Sequence, residues 1–274
     1  MGDLPFAASA PISAGRVGLV ARDAAALADY YRDVVGLAEI SRSNGKIAMG
    51  AGGRPLLEIE ERRNARPDNP RSAGLFHTAF LLPARADLAR WVRHAIDRKI
   101  PIDGASDHFV SEALYLTDPE GNGIEIYADR PHEIWRWENG HVDMGTVRLD
   151  IPALLAELDE KDGMQDGGWK GAPENSIIGH VHLRVGNPAD AEEWWHSELG
   201  FDTVANYGKA AVFLSTGGYH HHIGANSWQS AGAGPRDKDR TGLAWVEMNA
   251  KAAQSEKTLQ DPWGTEVRVV PKAA

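Results

Sequence analysis

A chain of 274 residues, 42% of them hydrophobic and 25% charged, carries enough apolar material for one large or two medium domains with real cores. Its formal charge of -10, with no run of lysine or arginine, excludes the concentrated positive face that nucleic acid requires. Cysteine is absent, which excludes disulfides, thiolate nucleophiles and zinc-thiolate sites and leaves His, Asp and Glu as the ligands for any transition metal.

The N-terminal MGDLPFAASAPISAGR has neither a basic start nor a continuous apolar run and does not read as a signal peptide. No stretch approaches the roughly eighteen apolar residues of a membrane span, so a cytoplasmic protein with no membrane partner is expected. From Gly15 a short strand, an amphipathic helix over about 23–35 and glycine-broken strands make a first module over 14–64. A second, over 73–131, has a strand at 75–82 and a helix at 84–99 with Leu88, Trp91, Val92 and Ile96 on one stripe. Residues 132–176 read as a connector, with Trp135 and Trp137 in a polar context, a short helix near 152–159 and a glycine-rich stretch over 163–171.

The third module, 177–229, has a helix at 188–199 that stops at Gly200, followed by a strand from Phe201 to Val204. After a loop at 231–240 comes a fourth, 240–272, which is short. His77 and Asp118 lie 41 residues apart, whereas their counterparts Trp245 and Asp261 lie 16 apart, so about 25 residues and most of a helix are missing.

The first and third modules repeat one another at a constant shift of 164. Gly15–Val20 falls on Gly179–Arg184, Tyr31 on Trp195, Gly36 on Gly200, Leu37 on Phe201 and Ile59 on Ile223. Four copies of βαβββ therefore follow one another, the last truncated.

The hairpin that closes the second module carries the chemistry. Leu114–Thr117 alternates like a strand, Asp118-Pro119-Glu120-Gly121-Asn122-Gly123 is dense in turn formers, and Ile124–Tyr127 alternates again. Around the turn stand an imidazole (His108), a phenol (Tyr115) and a carboxylate (Glu125). A carboxylate on a strand becomes a metal ligand when two histidines from neighbouring strands converge on it, the facial arrangement of non-haem Fe(II) sites that also bind substrate and dioxygen.

The order His108, five residues, Leu114-Tyr115, two residues, Asp118-Pro119-x-Gly121, three residues, Glu125 resembles the signature of the extradiol ring-cleavage dioxygenases of the vicinal-oxygen-chelate superfamily. Ser106, two places before His108, departs from that signature. Four βαβββ modules with a DPxGN-type hairpin, together with Gly217-Gly218-Tyr219-His220-His221-His222-Ile223-Gly224, resemble the bacterial catechol-2,3-dioxygenases of that superfamily. The resemblance implies an α+β fold in which paired modules curl into half-barrel sheets and the first and last strands supply the ligands.

At those two points the modules offer Arg16 and Glu58, His77 and Glu125, His180 and His222, and Trp245 and Arg268. Pairing the second module with the third gathers His77, Glu125 and His180 as metal ligands and leaves Arg16, Glu58, Trp245 and Arg268 in a cavity without a metal site. Sequential pairing, which the superfamily also uses, would leave His180 without a carboxylate. Nested pairing is therefore expected. Alignment of His180-Val181-His182-Leu183 with His77-Thr78-Ala79-Phe80 selects His180 as ligand and puts His182 beside the substrate.

His220, His221 and His222 cannot all face inward on a strand. The internal repeat favours His222 at the Glu125-like point, whereas the resemblance favours His221 as the acid-base, with His222 then touching substrate. The resemblance further implies that Tyr115 and His108 hydrogen-bond the substrate oxygens, that the metal is Fe(II), open to replacement by Mn(II) or another divalent ion, and that the partners are an aromatic vicinal diol and dioxygen. A homo-oligomer is compatible with these features. His94, His132, His141 and His196 are expected to be solvated. Two other functions share the scaffold: a glyoxalase-type lyase or isomerase, for which His222 would be a fourth ligand, and a metal-free binding protein of the bleomycin-resistance type.

Overall fold

The structure, a computed structural model, describes residues 4–161 and 168–272, so part of the glycine-rich stretch at 163–171 lies outside the described residues. The first module comprises β1 (Ile12–Ala21), α1 (Ala24–Tyr30), β2 (Ala38–Ser43), β3 (Lys46–Ala51) and β4 (Arg54–Glu61). The second comprises β5 (Gly74–Leu82), α2 (Arg85–Arg98), β6 (Gly104–Asp107), β7 (Ser111–Thr117) and β8 (Gly123–Asp129). Short strands β9 (Trp137–Glu138), β10 (His141–Val142) and β11 (Val147–Arg148) and helix α3 (Ile151–Lys161) make the connector. The third module is β12 (Ile177–Arg184), α4 (Pro188–Leu199), β13 (Asp202–Tyr207), β14 (Ala211–Ser215) and β15 (Ile223–Asn226). In the fourth, β16 (Gly242–Ala250) runs through a turn into β17 (Lys257–Gln260) and β18 (Glu266–Pro271), with no helix among its described residues.

Two mixed sheets result. The nine-stranded sheet has the order β11-β6-β7-β8-β5-β12-β15-β14-β13, and the seven-stranded sheet the order β17-β18-β16-β1-β4-β3-β2. The antiparallel pair β5–β12 joins the second module to the third, and β1–β16 joins the first to the fourth, so the modules pair in nested fashion. One apolar cluster, with Leu19, Leu57 and Val246 from one sheet and Phe80, Val181 and Ile223 from the other, is the common core.

The DP turns are built alike. Asp118 Oδ1 accepts from the backbone N–H groups of Glu120 and Asn122, both at 2.9 Å, and Asp261 Oδ1 accepts from those of Trp263 and Thr265 at 2.9 and 2.7 Å. Each carboxylate replaces backbone partners that the tight turn cannot supply. The Tyr31 hydroxyl donates to Asp118 Oδ2 at 3.1 Å, which ties the first module to the hairpin of the second.

Two helix expectations change. The helix expected over 23–35 is capped by Asp23, which accepts from the Ala26 N–H at 2.9 Å, but after Tyr30 it widens into a π-turn over Tyr31–Val35 that ends on Gly36 at φ +84°. In α2 the buried stripe is Leu88, Trp91, Val92 and Ala95, and Ile96 is 51% exposed. Position 96 lies about 100° further round the helix than position 95, which carries it off the stripe. Among the described residues no helix is long and apolar enough to cross a membrane.

Candidate metal centre

Three adjacent strands set the centre. β5 lies between β8, which it pairs in parallel, and β12, which it pairs antiparallel. Glu125 on β8 and His180 on β12 are both backbone partners of Ala79, and His77 stands two residues before Ala79 on the same face of β5. The result is a tight triangle. His77 Nε2 is 3.0 Å from Glu125 Oε2 and 3.3 Å from His180 Nε2, and His180 Nε2 is 3.1 Å from Glu125 Oε2. All three side chains are buried.

Burial pushes the Glu125 carboxyl up, but the imidazoles of His180 and His77 pull it down more strongly and hold it well below the ordinary range. Burial also lowers His180 to about 4, against the upward pull of Glu125. An ionised carboxylate and an uncharged imidazole therefore converge with His77 on one point, where their negative ends need a cation. Donors on one face of an octahedron, each about 2.1 Å from the ion, stand about 3.0 Å apart, and the triangle matches that spacing. The residues fit a divalent metal.

The triangle opens into a cavity of about 410 Å³ walled by aromatic side chains, among them Phe76, Phe213 and Trp228. Tyr115, the cross-strand partner of Glu125, and His108 both line it. His108 Nδ1 donates to the Gly145 carbonyl at 2.7 Å, which leaves Nε2 to accept the Tyr115 hydroxyl at 2.6 Å. His182, the backbone partner of His77, also lines the cavity, and its buried Nε2 has no hydrogen-bond partner among the described residues. A Cβ on Gly224 would meet the His182 ring at 2.8 Å, so glycine there makes room for it.

The three consecutive histidines precede β15 in a bend, so the alternation expected of a strand does not govern them, and all three are buried. His221 lines the cavity and lies against His180 with ring centroids 4.0 Å apart. His220 sits behind it. His222 turns away: its Nε2 donates to the Ala7 carbonyl at 3.1 Å and its Nδ1 accepts from Ser215 Oγ at 3.0 Å. The expectation that His222 touches substrate, or completes a four-ligand site, is corrected by this placement.

The groups that stand behind the ligands belong to no single motif. Tyr127 and Asp129 continue the alternation from Glu125 on β8, which is the signal that could have found them. Tyr219 and His220 meet them from the bend before β15. Phe76 and Trp228 carried no signal beyond their hydrophobicity.

Comparison with known proteins places the chain in a family. Residues 13–126 match the glyoxalase/bleomycin resistance protein/dioxygenase superfamily. A catechol-2,3-dioxygenase of Bacillus subtilis is 41% identical over 223 residues, covering 80% of this chain and 76% of the relative. The chain belongs to the glyoxalase/bleomycin resistance protein/dioxygenase superfamily. Within that superfamily its kinship is with the extradiol dioxygenases. A biphenyl-2,3-diol 1,2-dioxygenase of Rhodococcus globerulus is 35% identical over 81 residues, 27% of this chain and 40% of the relative. Glyoxalase I from Zea mays superposes with a TM-score of 0.56 at 11% identity, over 95% of this chain and 92% of that one, which establishes the shared fold.

This superfamily member places different chemistry in its seven-stranded sheet. The positions corresponding to the triangle hold Trp245 between two guanidiniums, Arg268 at 4.1 Å and Arg16 at 5.5 Å from the ring centroid. Arg16 is neutralised by Glu247, and Glu58 pairs with Lys46 at 2.8 Å. Two cations around an indole leave no place for a metal ion.

Proposed function

We propose that this protein is a cytoplasmic, non-haem Fe(II) extradiol dioxygenase that opens a catechol-type aromatic vicinal diol beside its hydroxyls. The observation that carries this reading is the buried His77–Glu125–His180 triangle facing an aromatic-walled cavity that also holds His221 and Tyr115. Three protein ligands, rather than four, leave coordination positions for a bidentate diol and dioxygen. His222 is the residue that would complete a lyase-type set, and it points toward Ala7, so the geometry favours the dioxygenase over the glyoxalase-type reading.

In this reading His77, His180 and Glu125 hold the metal, which when bound lowers the hydroxyl pKa of the diol and brings diol and dioxygen together. His221, whose Nδ1 is engaged by His220, receives a hydroxyl proton of the diol at Nε2 and returns it later as an acid. Tyr115, whose O–H is held by His108 Nε2, presents its oxygen to accept from a substrate hydroxyl, while His108, with both nitrogens engaged, orients the phenol rather than touching substrate. His182, Phe76 and Trp228 pack beside the ring. Both atoms of dioxygen enter the product while one ring carbon–carbon bond breaks, so no external reductant is consumed. The product is a ring-opened hydroxy acid that carries an aldehyde.

The test is direct. Protein loaded anaerobically with Fe(II) and given catechol in air should take up one dioxygen per catechol and yield the yellow semialdehyde. No oxygen uptake across a panel of catechols and hydroquinones, with the metal site filled, overturns the reading. Oxygen-independent turnover of a glutathione hemithioacetal would install the lyase in its place.

A further inference from the structure

Behind the metal centre lies one carboxylate from which two hydrogen-bonded chains depart. Asp129 Oδ1 accepts from His220 Nε2 at 2.9 Å and from the Tyr219 hydroxyl at 3.3 Å. His220 Nδ1 is 2.8 Å from His221 Nδ1. On the other branch the Tyr219 and Tyr127 hydroxyls are 2.7 Å apart, and Tyr127 Oη is 3.3 Å from His180 Nδ1. Tyr127, Tyr219 and His220 are fully enclosed, so water cannot substitute for a missing partner.

Asp129 Oδ1 accepts on both branches, and with uncharged imidazoles along them that fixes every proton of the two chains. On the first branch His220 must carry its proton on Nε2 to reach Asp129, so its Nδ1 is a lone pair and accepts from His221 Nδ1–H. His221 is thereby left with a bare Nε2, which has no hydrogen-bond partner among the described residues and belongs to the side chain that lines the cavity. On the second branch Tyr219 donates to Asp129, accepts from the Tyr127 hydroxyl, and Tyr127 in turn accepts from His180 Nδ1–H. His180 then has a bare Nε2 directed at Glu125 and His77.

We infer that Asp129 is a positioning residue that sets two tautomers at once: it holds the cavity histidine His221 as a base through His220, and the ligand His180 as a metal donor through Tyr219 and Tyr127. The local sequence accommodates the second branch. Gly179 precedes His180, and a Cβ there would fall on the Tyr127 hydroxyl, so only glycine lets the phenol reach the imidazole. The roles assigned to His221 and His180 rest on the proposed dioxygenase reading, but the tautomers themselves do not.

The experiment reads tautomers and metal affinity separately from turnover, using Zn(II) as a diamagnetic probe. Protein labelled with 15N-histidine and loaded with Zn(II) should show His221 protonated at Nδ1 and His220 at Nε2 in long-range 1H–15N spectra. Tyr219→Phe should weaken Zn(II) binding on the order of tenfold, the usual effect of losing an outer-sphere partner, while leaving the His221 tautomer intact. His220→Phe should do the reverse, mixing the His221 tautomers and lowering kcat for catechol with Zn(II) affinity unchanged. Asp129→Leu should produce both effects, and Asp129→Asn, which keeps an oxygen at the Oδ1 position, should restore the tautomers.

Wild-type spectra with His221 protonated at Nε2 would overturn the inference. So would an Asp129→Leu protein with unchanged tautomers and Zn(II) affinity. If Asp129→Leu does not fold, the wild-type spectra and the two single-branch variants decide. A protein with no dioxygenase activity but with these spectra and affinities would remove the dioxygenase reading and leave the role of Asp129 standing.

Discussion

Glu125 and His180 share one backbone partner, Ala79, although 55 residues separate them in sequence. β5 therefore works as a spacer between two ligand-bearing strands from different modules, and its own His77 closes the triangle from the same face. This relationship exists only because the second module pairs with the third. Sequential pairing would have placed β1 or β16 at these edges and brought Arg16 or Trp245 to the metal position.

Metal analysis checks the consequence. His77→Ala and His180→Ala should each abolish stoichiometric binding of Fe(II) or Mn(II), whereas Glu58→Gln should bind as the wild type does, because Glu58 pairs with Lys46 in the other sheet. Removing the metal should lower Tm, since an ion bound only by the folded state stabilises it. A metal-free His77→Ala beside a fully loaded Glu58→Gln is the expected pair of results.

His221 and His222 are neighbours in sequence with opposite surroundings, so their alanine variants should separate activity from stability. His221→Ala should lose about 10²–10⁴ in kcat, the usual worth of a positioned acid-base, with little change in unfolding free energy. His222→Ala should keep most of the turnover and lose about 2–4 kcal/mol, since the Ala7 carbonyl loses its donor in a fully enclosed site and Ser215 Oγ keeps only its 3.3 Å contact with the Thr216 carbonyl. Steady-state kinetics and urea titration of the two variants check this, and a dead His222→Ala with a live His221→Ala would exchange their roles.

The contrast also shows what sequence carries and what it does not. The hairpin from His108 to Glu125 was legible because turn chemistry and alternation act over a few residues, and the repeat was legible because its shift stays constant. The shift led to His222 for the Glu125-like point, but the chain enters β15 only at Ile223, so the strand rule did not reach the histidines. Asp129 and His220 lie 91 residues apart, and their contact depends on how β8 and the bend before β15 meet across the sheet. Ala7 as the acceptor for His222 is a contact between the N-terminal segment and the third module, invisible to any local pattern.

The cavity wall predicts substrate preference. Its titratable lining is Asp103, Glu125, Tyr115, Tyr207 and histidines, and no lysine or arginine faces it among the described residues. A carboxylate on the ring would be desolvated beside existing carboxylates with no cation to receive it. Catechols with methyl or other uncharged substituents should therefore be cleaved with kcat/KM at least about tenfold above that of ring-carboxylated catechols. Oxygen-uptake kinetics over the two series check this, and a higher kcat/KM for the carboxylated series would overturn it.

Acid should weaken the fold through His222. Burial lowers its pKa to about 3, against the upward pull of the Ala7 carbonyl, whereas the unfolded chain returns it to about 6.5. Because the folded value is the lower one, the unfolded state binds the proton first, so the contribution of neutral His222 is complete above about pH 6.5 and is lost as pH falls toward 3. At about pH 5 the loss from this residue alone is about 2 kcal/mol, with one additional proton taken up on unfolding. Urea titration of metal-loaded protein at about pH 7 and about pH 5 measures it. His222→Gln, which can still donate to Ala7 but cannot titrate, should flatten the acid slope by that one proton, and an unchanged slope would assign the acid sensitivity to the other buried histidines, His182 and His221, which burial also holds well below the ordinary range.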